Sequence, residues 1–307
     1  MGEVNFNPGI RRTPYGNTAT HNAGESSKKQ MPIPKTAKLD TTMEMPNMGT
    51  VEVYKSEIKD NTGKVSGHAF YIKNNIYMPI EVKSNITGEN IQTGIKQITL
   101  PARQAGQDGT SLEAFVISPQ NKSKSSNWKC DSQFQIGSSN GKHDPKVSYK
   151  LPFSGTRTVT QGENGKLTHT GNHAFAIDFA MPEGAEVLSI RDGIVVAVKK
   201  DSKEGGGLHI AADKANYIYV YHPDDGSIAK YAHLKENGTA VKLGQKVKAG
   251  ELIGFSGNTG KSNAPHLHLQ VDVPKGFSDG DLISIRFQGA KGEPFKVEEG
   301  KSYSNPR

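Results

Sequence analysis

The chain has 307 residues, 34% of them hydrophobic, and a net charge of +7. A chain of this length buries a proper core and suggests about two domains. The lone cysteine, Cys130, excludes an intramolecular disulfide framework and any cysteine-based zinc site. No apolar run is long enough for a transmembrane helix, so we expect no membrane insertion. Lys and Arg are scattered, which argues against nucleic acid as a partner.

The composition favours β structure throughout. Glycine occupies 34 positions and proline 16, and uninterrupted helical patterns are scarce. Short apolar runs between turns are typical of strands, so the sequence predicts an all-β chain.

Residues 1–45 are polar and interrupted by turn-forming pairs such as Pro8-Gly9. We predict a disordered leader here, suited to targeting or docking. Its first residues lack the basic-then-apolar layout of a secretory signal. The chain is therefore expected either to stay in the cytoplasm or to leave it by a route that needs no such signal.

Residues 46–147 contain short strand-like runs that recur between turns, as in 51–54, 69–72, 79–82, 95–100, 114–117 and 134–136. Such spacing predicts a small β-sandwich accessory module. His68 and His143 are isolated, and the segment shows no group of residues suited to chemistry. Pro145 and Pro152 then bracket a linker strand. A second domain, 148–307, is predicted to form a compact antiparallel β-barrel or sandwich.

Functional residue types are concentrated in this second domain, since seven of the ten histidines lie between residues 169 and 268. A loop containing His169 and His173 precedes an alternating strand, 174–180. On one face of that strand Asp178 lies between Ala176 and Ala180, which leaves room in front of the carboxylate for a ligand. Farther along, 216–222 and 227–234 flank an Asp-Asp-Gly turn and predict a hairpin.

Residues 254–273 begin as a loop of Gly, Ser, Asn and Thr and continue as a strand with alternating polarity. His266 and His268 share one side of this strand, roughly 6.5–7 Å apart along it. The other side is made of Leu and Val. Two imidazoles opposite an apolar face suggest a site rather than a solvated surface.

These residues suit a zinc hydrolase, which needs three protein ligands, an open position for water, and a nearby base or oxyanion stabiliser. The His266/His268 pair offers one ligand and one neighbour in the same cavity, and Asp178 offers a carboxylate. His169 or His173 completes a set of two histidines and one aspartate. His233 would be a supporting or catalytic imidazole.

Six motifs in this order resemble the LytM/lysostaphin-type zinc metalloendopeptidases, which cut peptidoglycan peptides. They are Thr-His-Thr-Gly at 168–171, Ala-Ile-Asp-Phe-Ala-Met-Pro-Glu-Gly at 176–184, Asp-Gly-Ile-Val at 192–195, Tyr-Ala-His-Leu at 231–234, Gly-Asn-Thr-Gly at 257–260 and Pro-His-Leu-His-Leu-Gln at 265–270. The resemblance covers about 150–290, and residues 143–153 resemble the end of a β-module found upstream in one bacterial branch of the family.

The resemblance implies a Zn²⁺ cofactor bound by His268, Asp178 and the loop histidine. It favours His169 for that position, because one branch reads Ser/Thr-His-x-Gly before the strand, and His173 is the alternative ligand. His266 and His233 would be catalytic.

The resemblance also implies that Asn216 and Tyr217 line the substrate groove, and that the substrate is a peptidoglycan peptide. The alternative is a non-catalytic LytM-like module that binds cell wall or regulates other hydrolases.

Peptidoglycan lies outside the cytoplasmic membrane, so the expected site of action is secreted or periplasmic. Without a secretory signal, delivery by a type VI secretion system or a phage is the hypothesis. An antibacterial effector of that kind would bring an immunity protein or the secretion apparatus as a partner.

Overall fold

The computed structural model describes residues 3–7, 31–275, 278–289 and 291–305. The chain divides into two compact units, Met1–Ser138 and Ser139–Arg307. The sequence predicts a boundary at 147/148, after Pro145, whereas the structure places the segment that begins at Ser139 with the second unit.

The first unit is a two-sheet sandwich. One sheet has the order β1-β8-β5-β6 and the other β2-β3-β4-β7. The ring of Phe70 on β4 meets Trp128 on β8 edge-on, with ring centroids 5.9 Å apart. Aromatic contact between the two inner faces is how such sheets bury their apolar sides. The strands are β1 Glu3–Asn7, β2 Lys38–Met45, β3 Gly49–Lys59, β4 Val65–Asn74, β5 Ile80–Glu89, β6 Gly94–Leu100, β7 Thr110–Ile117 and β8 Asn127–Ile136.

Two of these strands, β1 and β2, lie within residues 1–45, where the sequence predicts a disordered leader. Along β2 the side chains of Met43 and Met45 are buried and alternate with exposed residues. Pairing with β3 satisfies the backbone of β2, so this stretch gains both burial and hydrogen bonds despite its polar composition. The rest of the predicted leader, 1–2 and 8–30, lies outside the described residues.

The second unit is built on one large sheet with the order β16-β13-β14-β15-β18-β11-β10-β22, to which β12, β17 and β19 attach. A small sheet, β21-β20-β9, completes the unit. Two short 3-10 helices lie at Gly171–His173 and Ala212–Lys214. The strands are β9 Ser148–Tyr149, β10 Gly155–Gln161, β11 Ile177–Ala180, β12 Glu186–Leu188, β13 Gly193–Lys199, β14 Asn216–Tyr221, β15 Ile228–Thr239, β16 Lys246–Val247, β17 Leu252–Ser256, β18 His266–Lys275, β19 Ser278–Leu282, β20 Arg286–Gln288, β21 Pro294–Phe295 and β22 Ser302–Asn305.

One face of the large sheet forms the core of this unit. Leu267, Leu269 and Val271 on β18 are almost completely buried there, together with Ile177 and Phe179 on β11. Full burial of each such side chain contributes about 1.5–3 kcal/mol. Because side chains alternate along a strand, His266, His268, Gln270 and Asp272 of β18 and Asp178 of β11 project from the opposite face.

The prediction of an all-β chain is confirmed. The sheets of the described residues do not close into barrels, so the second domain is an open arrangement of sheets. Among the described residues, helices with the length and apolar character of a membrane span are absent.

Candidate metal centre

The centre of the site is the pairing of β11 with β18. Their antiparallel register sets Asp178 opposite His268 and Ala180 opposite His266. On the other side of β18, Ala232 of β15 is the partner of His268. The Asp178 Oδ1 atom lies 2.8 Å from His268 Nδ1. Small side chains on both flanks leave open space around the carboxylate and the imidazole.

His169 reaches the same carboxylate from the loop before β11. Its ring is fully buried, and Nδ1 lies 2.8 Å from the carbonyl oxygen of Gly162. Because a carbonyl only accepts, Nδ1 carries the proton, and the Nε2 of the neutral ring has a bare lone pair. That Nε2 lies 3.1 Å from Asp178 Oδ2.

This contact is favourable when Nε2 carries a proton or when the two atoms share a metal cation. Nε2 of His169 is buried and makes no hydrogen bond within the part of the chain that the structure describes. Ligand atoms of His169, Asp178 and His268 all lie within 4.8 Å of one another. Two imidazole nitrogens and a carboxylate oxygen at this spacing fit a tetrahedral metal ion with one position left open. The carbonyl bond to His169 fixes its tautomer, as in known metal-binding histidines.

His173, the alternative ligand, lies beside this cluster but is not part of it. It ends the 3-10 helix Gly171–His173 and is exposed. Its Nδ1 lies 2.8 Å from Gln270 Oε1, and its ring centroid is 5.8 Å from that of His268. The structure therefore brings His169, rather than His173, to the carboxylate.

Two further imidazoles face the cluster as a pair. The ring centroids of His233 and His266 are 4.6 Å apart. His233 Nδ1 lies 2.7 Å from the carbonyl oxygen of Thr259, and His266 Nδ1 lies 2.8 Å from that of Ala264. Both rings therefore present an unprotonated Nε2 when neutral. The Nε2 of His266 is 3.8 Å from Asp178 Oδ1.

The backbone holds His233 in an uncommon conformation, with φ of 61°. A non-glycine residue in this left-handed region costs about 1–3 kcal/mol and is found most often at functional sites. The irregularity in the β15–β17 pairing after Leu234 accompanies this turn. The strand thus bends where its imidazole must face the cluster.

Comparison with known proteins identifies this part of the chain. Residues 172–280 match the model of Peptidase family M23. This segment of the chain is similar to peptidase family M23. The matched region contains Asp178, His233, His266 and His268, and it begins just after His169.

The relatives that this part of the chain resembles are bacterial. An uncharacterized metalloprotease of Buchnera aphidicola subsp. Baizongia pistaciae is 45% identical over 42% of this chain and 32% of its own length. Peptidoglycan DD-endopeptidase ShyA of Vibrio cholerae is 32% identical over 58% of this chain and 33% of its own length. Glycyl-glycine endopeptidase ALE-1 of Staphylococcus capitis is 40% identical over 33% of this chain and 24% of its own length. Each match thus spans a third or less of the relative.

The charge state of the cluster of His169, Asp178 and His268 suits metal binding. Burial would raise the pKa of Asp178, but its contacts with His169 and His268 outweigh burial and hold that pKa far below its usual range. Burial lowers the pKa of His268. It also lowers the pKa of His233 to about 4, and the nearby His266 and His268 act in the same direction. At neutral pH the site therefore combines an ionised carboxylate with neutral imidazoles at His233 and His268.

His169 differs from the other imidazoles. Burial alone would lower its pKa, but the contacts with Asp178 and Gly162 together raise it. A bound cation would replace the proton that Asp178 attracts to this ring.

Asn216 and Tyr217, expected to line the substrate groove, occupy different environments. Asn216 is fully buried. Its amide donates to the carbonyl of Ser202 at 2.8 Å and accepts from the Ser202 N–H at 2.9 Å. In this conformation it fastens a loop rather than facing a substrate. Tyr217 is partly exposed and stacks on Tyr219, with centroids 4.6 Å apart.

Sequence reasoning missed Gln161, which connects the loop to the cluster. Its Nε2 donates to Asp178 Oδ2 at 3.1 Å and to Thr168 Oγ1 at 2.7 Å. Its Oε1 accepts from the N–H groups of Leu167 and Thr168. Nothing in the local sequence marks this role, because it depends on the non-local pairing of β10 with β11.

Thr259 and Gln270 were also missed as supporting residues. The Oγ1 of Thr259 accepts from the backbone N–H of Asn216 and donates to the carbonyl of Leu234, so it holds the loop that positions His233. Gln270 binds His173. A sequence signal existed for Gln270, since it shares the polar face of β18 with His266 and His268.

Proposed function

We propose that this chain is a zinc-dependent endopeptidase that hydrolyses amide bonds in the peptides of bacterial peptidoglycan. The observation that carries the proposal is the buried cluster of His169, Asp178 and His268 faced by the unprotonated nitrogens of His233 and His266. One relative, named a peptidoglycan DD-endopeptidase, supports the choice of substrate, and a second relative, named a glycyl-glycine endopeptidase, supports the reaction type.

In this proposal His169, Asp178 and His268 hold the metal. Two imidazoles and one carboxylate are a ligand set typical of zinc hydrolases. When bound, zinc supplies a Lewis acid for the scissile carbonyl and lowers the pKa of water to about 7. Gln161 and the Gly162 carbonyl keep Asp178 and His169 in place.

The tautomers of His233 and His266 determine which proton transfers each residue can make. Nδ1–H is committed to a backbone carbonyl in both His233 and His266, so each Nε2 accepts a proton before it can donate one. His266 takes the proton from water, because Asp178 Oδ1 at 3.8 Å stabilises the imidazolium that results. Its Nε2–H then serves as a donor to the leaving amine.

His233 is more deeply buried and keeps its imidazole neutral, since its pKa is lowered to about 4. Proton transfer to such a ring becomes favourable only next to negative charge. We assign it to the tetrahedral oxyanion: the developing negative charge would let Nε2 take up a proton from solvent, this N–H would donate to the oxyanion, and the proton would return to solvent when the product carboxylate leaves.

The test uses purified protein and isolated sacculi, with released muropeptides analysed by mass spectrometry. Zinc-loaded protein should release peptides cut at one amide type, and chelator should abolish release until zinc is returned. His268→Ala should bind no zinc and release nothing. Full zinc occupancy in His268→Ala would overturn the ligand assignment.

The same experiment decides the non-catalytic alternative. A wall-binding or regulatory module should sediment with sacculi and release nothing, regardless of chelator. Binding without chelator-sensitive release would therefore replace the endopeptidase proposal.

An effector role is a separate proposal built on this activity. Its only support is that the proposed activity is directed against the cell wall and that the chain is basic, with a net charge of +7. Expression in a bacterial host with and without an export signal tests it. Lysis that increases on export to the periplasm supports wall attack from outside the membrane, and equal toxicity in both compartments contradicts it.

A further inference from the structure

An irregularity in β10 decides which face of the sheet Gln161 projects from. Val159 pairs with Phe179 on β11, and Gln161, two residues later, pairs with the adjacent residue, Asp178. In a regular strand Val159 and Gln161 would share one face, because side chains alternate. Val159 belongs to the core, whereas the extra residue, Thr160, is exposed and turns Gln161 to the face of Asp178. Bulges of this kind are common beside active sites, where they re-aim a side chain.

All four hydrogen-bonding positions of the Gln161 amide are used. Its Nε2 donates to Asp178 Oδ2 at 3.1 Å and to Thr168 Oγ1 at 2.7 Å. Its Oε1 accepts from the N–H groups of Leu167 at 3.0 Å and Thr168 at 3.1 Å. A glutamine amide has two donors and two acceptor lone pairs, so this side chain, which is 6% exposed, cannot turn without losing buried bonds. The same amide therefore holds Asp178 on the strand and the part of the loop just before His169.

The contact with Gln161 differs from the other contacts of Asp178 because it does not change when a metal binds. The imidazoles of His169 and His268 lie 3.1 and 2.8 Å from the carboxylate oxygens. An imidazole nitrogen that binds a metal carries no proton, so it can no longer donate to the carboxylate. The N–H groups of the glutamine amide are present in both states. Gln161 therefore keeps its bond to Asp178 whether or not the histidines bind a metal.

The loop that Gln161 holds is the one that carries the second ligand. Leu167 and Thr168 immediately precede His169 in the chain, and the ring of His169 is bound to the carbonyl oxygen of Gly162 at 2.8 Å. A Cβ added at Gly165 would overlap the Cγ of Gln161, so the loop packs directly on the stem of this side chain. The position of His169 thus depends on the same glutamine that holds Asp178.

We propose that Gln161 is a positioning residue of the metal centre, which fixes Asp178 and the loop of His169 relative to each other before a metal binds. It acts through these two ligands rather than on the substrate. A ligand set that is held in place beforehand loses less freedom on binding, so it binds the ion more tightly. This inference rests on the ligand set of the proposed function and predicts a property that is measurable without substrate.

Zinc affinity tests the inference on the chain alone. Chelator-treated protein is titrated with zinc against a chromophoric competitor. Gln161→Met has a side chain of similar length without the amide, and it should bind zinc about 10–100-fold more weakly than wild type, as is typical when a partner of a metal ligand is removed. Equal affinity in the two proteins overturns the proposal.

The matched control is Gln245→Met. Gln245 precedes β16, an edge strand of the large sheet, and it also links a carboxylate to a backbone N–H. Its Nε2 donates to Glu251 Oε1 at 3.5 Å, and its Oε1 accepts from the N–H of Lys242 at 3.2 Å. This variant should keep the zinc affinity of wild type. Losses of equal size in Gln245→Met and Gln161→Met would reflect general destabilisation and contradict the proposal.

Hydrogen exchange of the metal-free protein tests the positioning directly. In wild type the amides of Leu167 and Thr168 should exchange slowly with or without zinc, because Gln161 rather than the metal holds them. In metal-free Gln161→Met they should exchange about tenfold faster, which corresponds to the loss of one hydrogen bond. Fast exchange of both amides in metal-free wild type would show that the metal orders the loop, and it overturns the proposal.

Thr168→Val is a second variant for the case in which Gln161→Met does not fold. It removes one of the four bonds of the Gln161 amide and leaves the bond to Asp178. It should weaken zinc binding less than Gln161→Met does, and it should speed exchange at the amide of Leu167. Wild-type affinity together with wild-type exchange in Thr168→Val contradicts the proposal.

Release of muropeptides from sacculi keeps this inference distinguishable from the proposed function. Wild-type protein that binds zinc and releases nothing contradicts the endopeptidase proposal, and a zinc affinity that depends on Gln161 still supports the positioning role in that protein. Chelator-sensitive release by wild type, with equal zinc affinity in Gln161→Met, supports the function and contradicts the positioning role.

Discussion

The second unit contains two buried groups of aspartate and histidine, and they differ in one respect. Asp178 is surrounded by imidazoles and an amide, whereas Asp225 is paired with a permanent cation, Arg191. Arg191 Nη1 donates to Asp225 Oδ2 at 2.6 Å, and His143 Nδ1 lies 3.2 Å from the same oxygen. The other oxygen accepts from the N–H and the hydroxyl of Ser227.

The comparison separates a structural carboxylate from one that needs a ligand. Burial would raise the pKa of Asp225, but Arg191 and Ser227 lower it to about 2. Its charge is compensated within the protein, so no further ion is required. Asp178 faces the imidazoles of His169 and His268 and the amide of Gln161, and among the described residues it lacks a permanent cation of that kind. A contact between histidine and aspartate is therefore not enough to indicate a metal site. The deciding feature is that, within the described residues, Asp178 has no guanidinium or ammonium beside its carboxylate.

The largest effect is expected when the carboxylates of Asp178 and Asp225 are neutralised in turn, which tests the distinction between the two groups. Asp178→Asn should lose zinc. Its turnover should fall by more than about 10²–10⁴-fold, which is the loss expected when a single acid–base residue is removed. Asp225→Asn should keep zinc and turnover while losing stability. Zinc content by mass spectrometry and turnover on sacculi check both variants. Loss of zinc in Asp225→Asn would show that the second group is also a metal site.

The next largest effect concerns residues that face the metal without binding it. His233→Ala should retain zinc, because its ring is outside the ligand set, and lose about 10²–10⁴-fold in kcat. His209→Ala, at an exposed position of the same domain, is the control and should match wild type. If His233→Ala bound no zinc, the division between ligands and acid–base residues would be wrong.

Arg191→Met tests the compensated group. It leaves Asp225 without its cation in a buried setting, which should cost about 3–5 kcal/mol in the free energy of unfolding. Zinc affinity should not change. Urea unfolding followed by circular dichroism measures the loss. A destabilisation below about 1 kcal/mol, as for an exposed ion pair, would contradict the buried-charge interpretation.

The smallest effect is a pH dependence near the second group. His222 is fully buried, and burial lowers its pKa from 6.5 to about 4. Because the folded value is below the unfolded one, protons favour the unfolded chain. The contribution of His222 to stability is complete above pH 6.5 and declines as the pH falls toward 4, by on the order of 3 kcal/mol in total.

Urea unfolding at several pH values checks this dependence. His222→Phe should flatten the slope between pH 6.5 and 4 relative to wild type. His209→Gln, an exposed control, should leave the slope unchanged. A slope that survives in His222→Phe must come from other groups.

The sequence predicted the parts of this fold that depend on local pattern. Alternation along 266–273 indicated a strand with His266 and His268 on one face, and β18 has that form. Alternation around Asp178 did the same for β11. The presence of strands in an all-β chain was predictable for the same reason.

The sequence could not predict the register of strand pairing or the backbone carbonyls that bind the histidines. The pairing of Asp178 with His268 joins residues 90 positions apart, and local periodicity does not encode such pairs. The acceptors at Gly162, Thr259 and Ala264 are main-chain carbonyls, so residue type gives no sign of them. Asn216 was expected in the groove because resemblance reveals a recurrent residue but not whether its amide faces a substrate or a loop.

Because Asp178 and His268 are far apart in the sequence, the site can form only late in the synthesis of the chain. A ribosome must complete β18 before the third ligand is available, and β18 must pair with β11 before the ligand atoms converge. An unfolded chain, or one that ends before His268, holds no assembled centre. On the proposed ligand set, metal loading would therefore report the completion of this strand pairing.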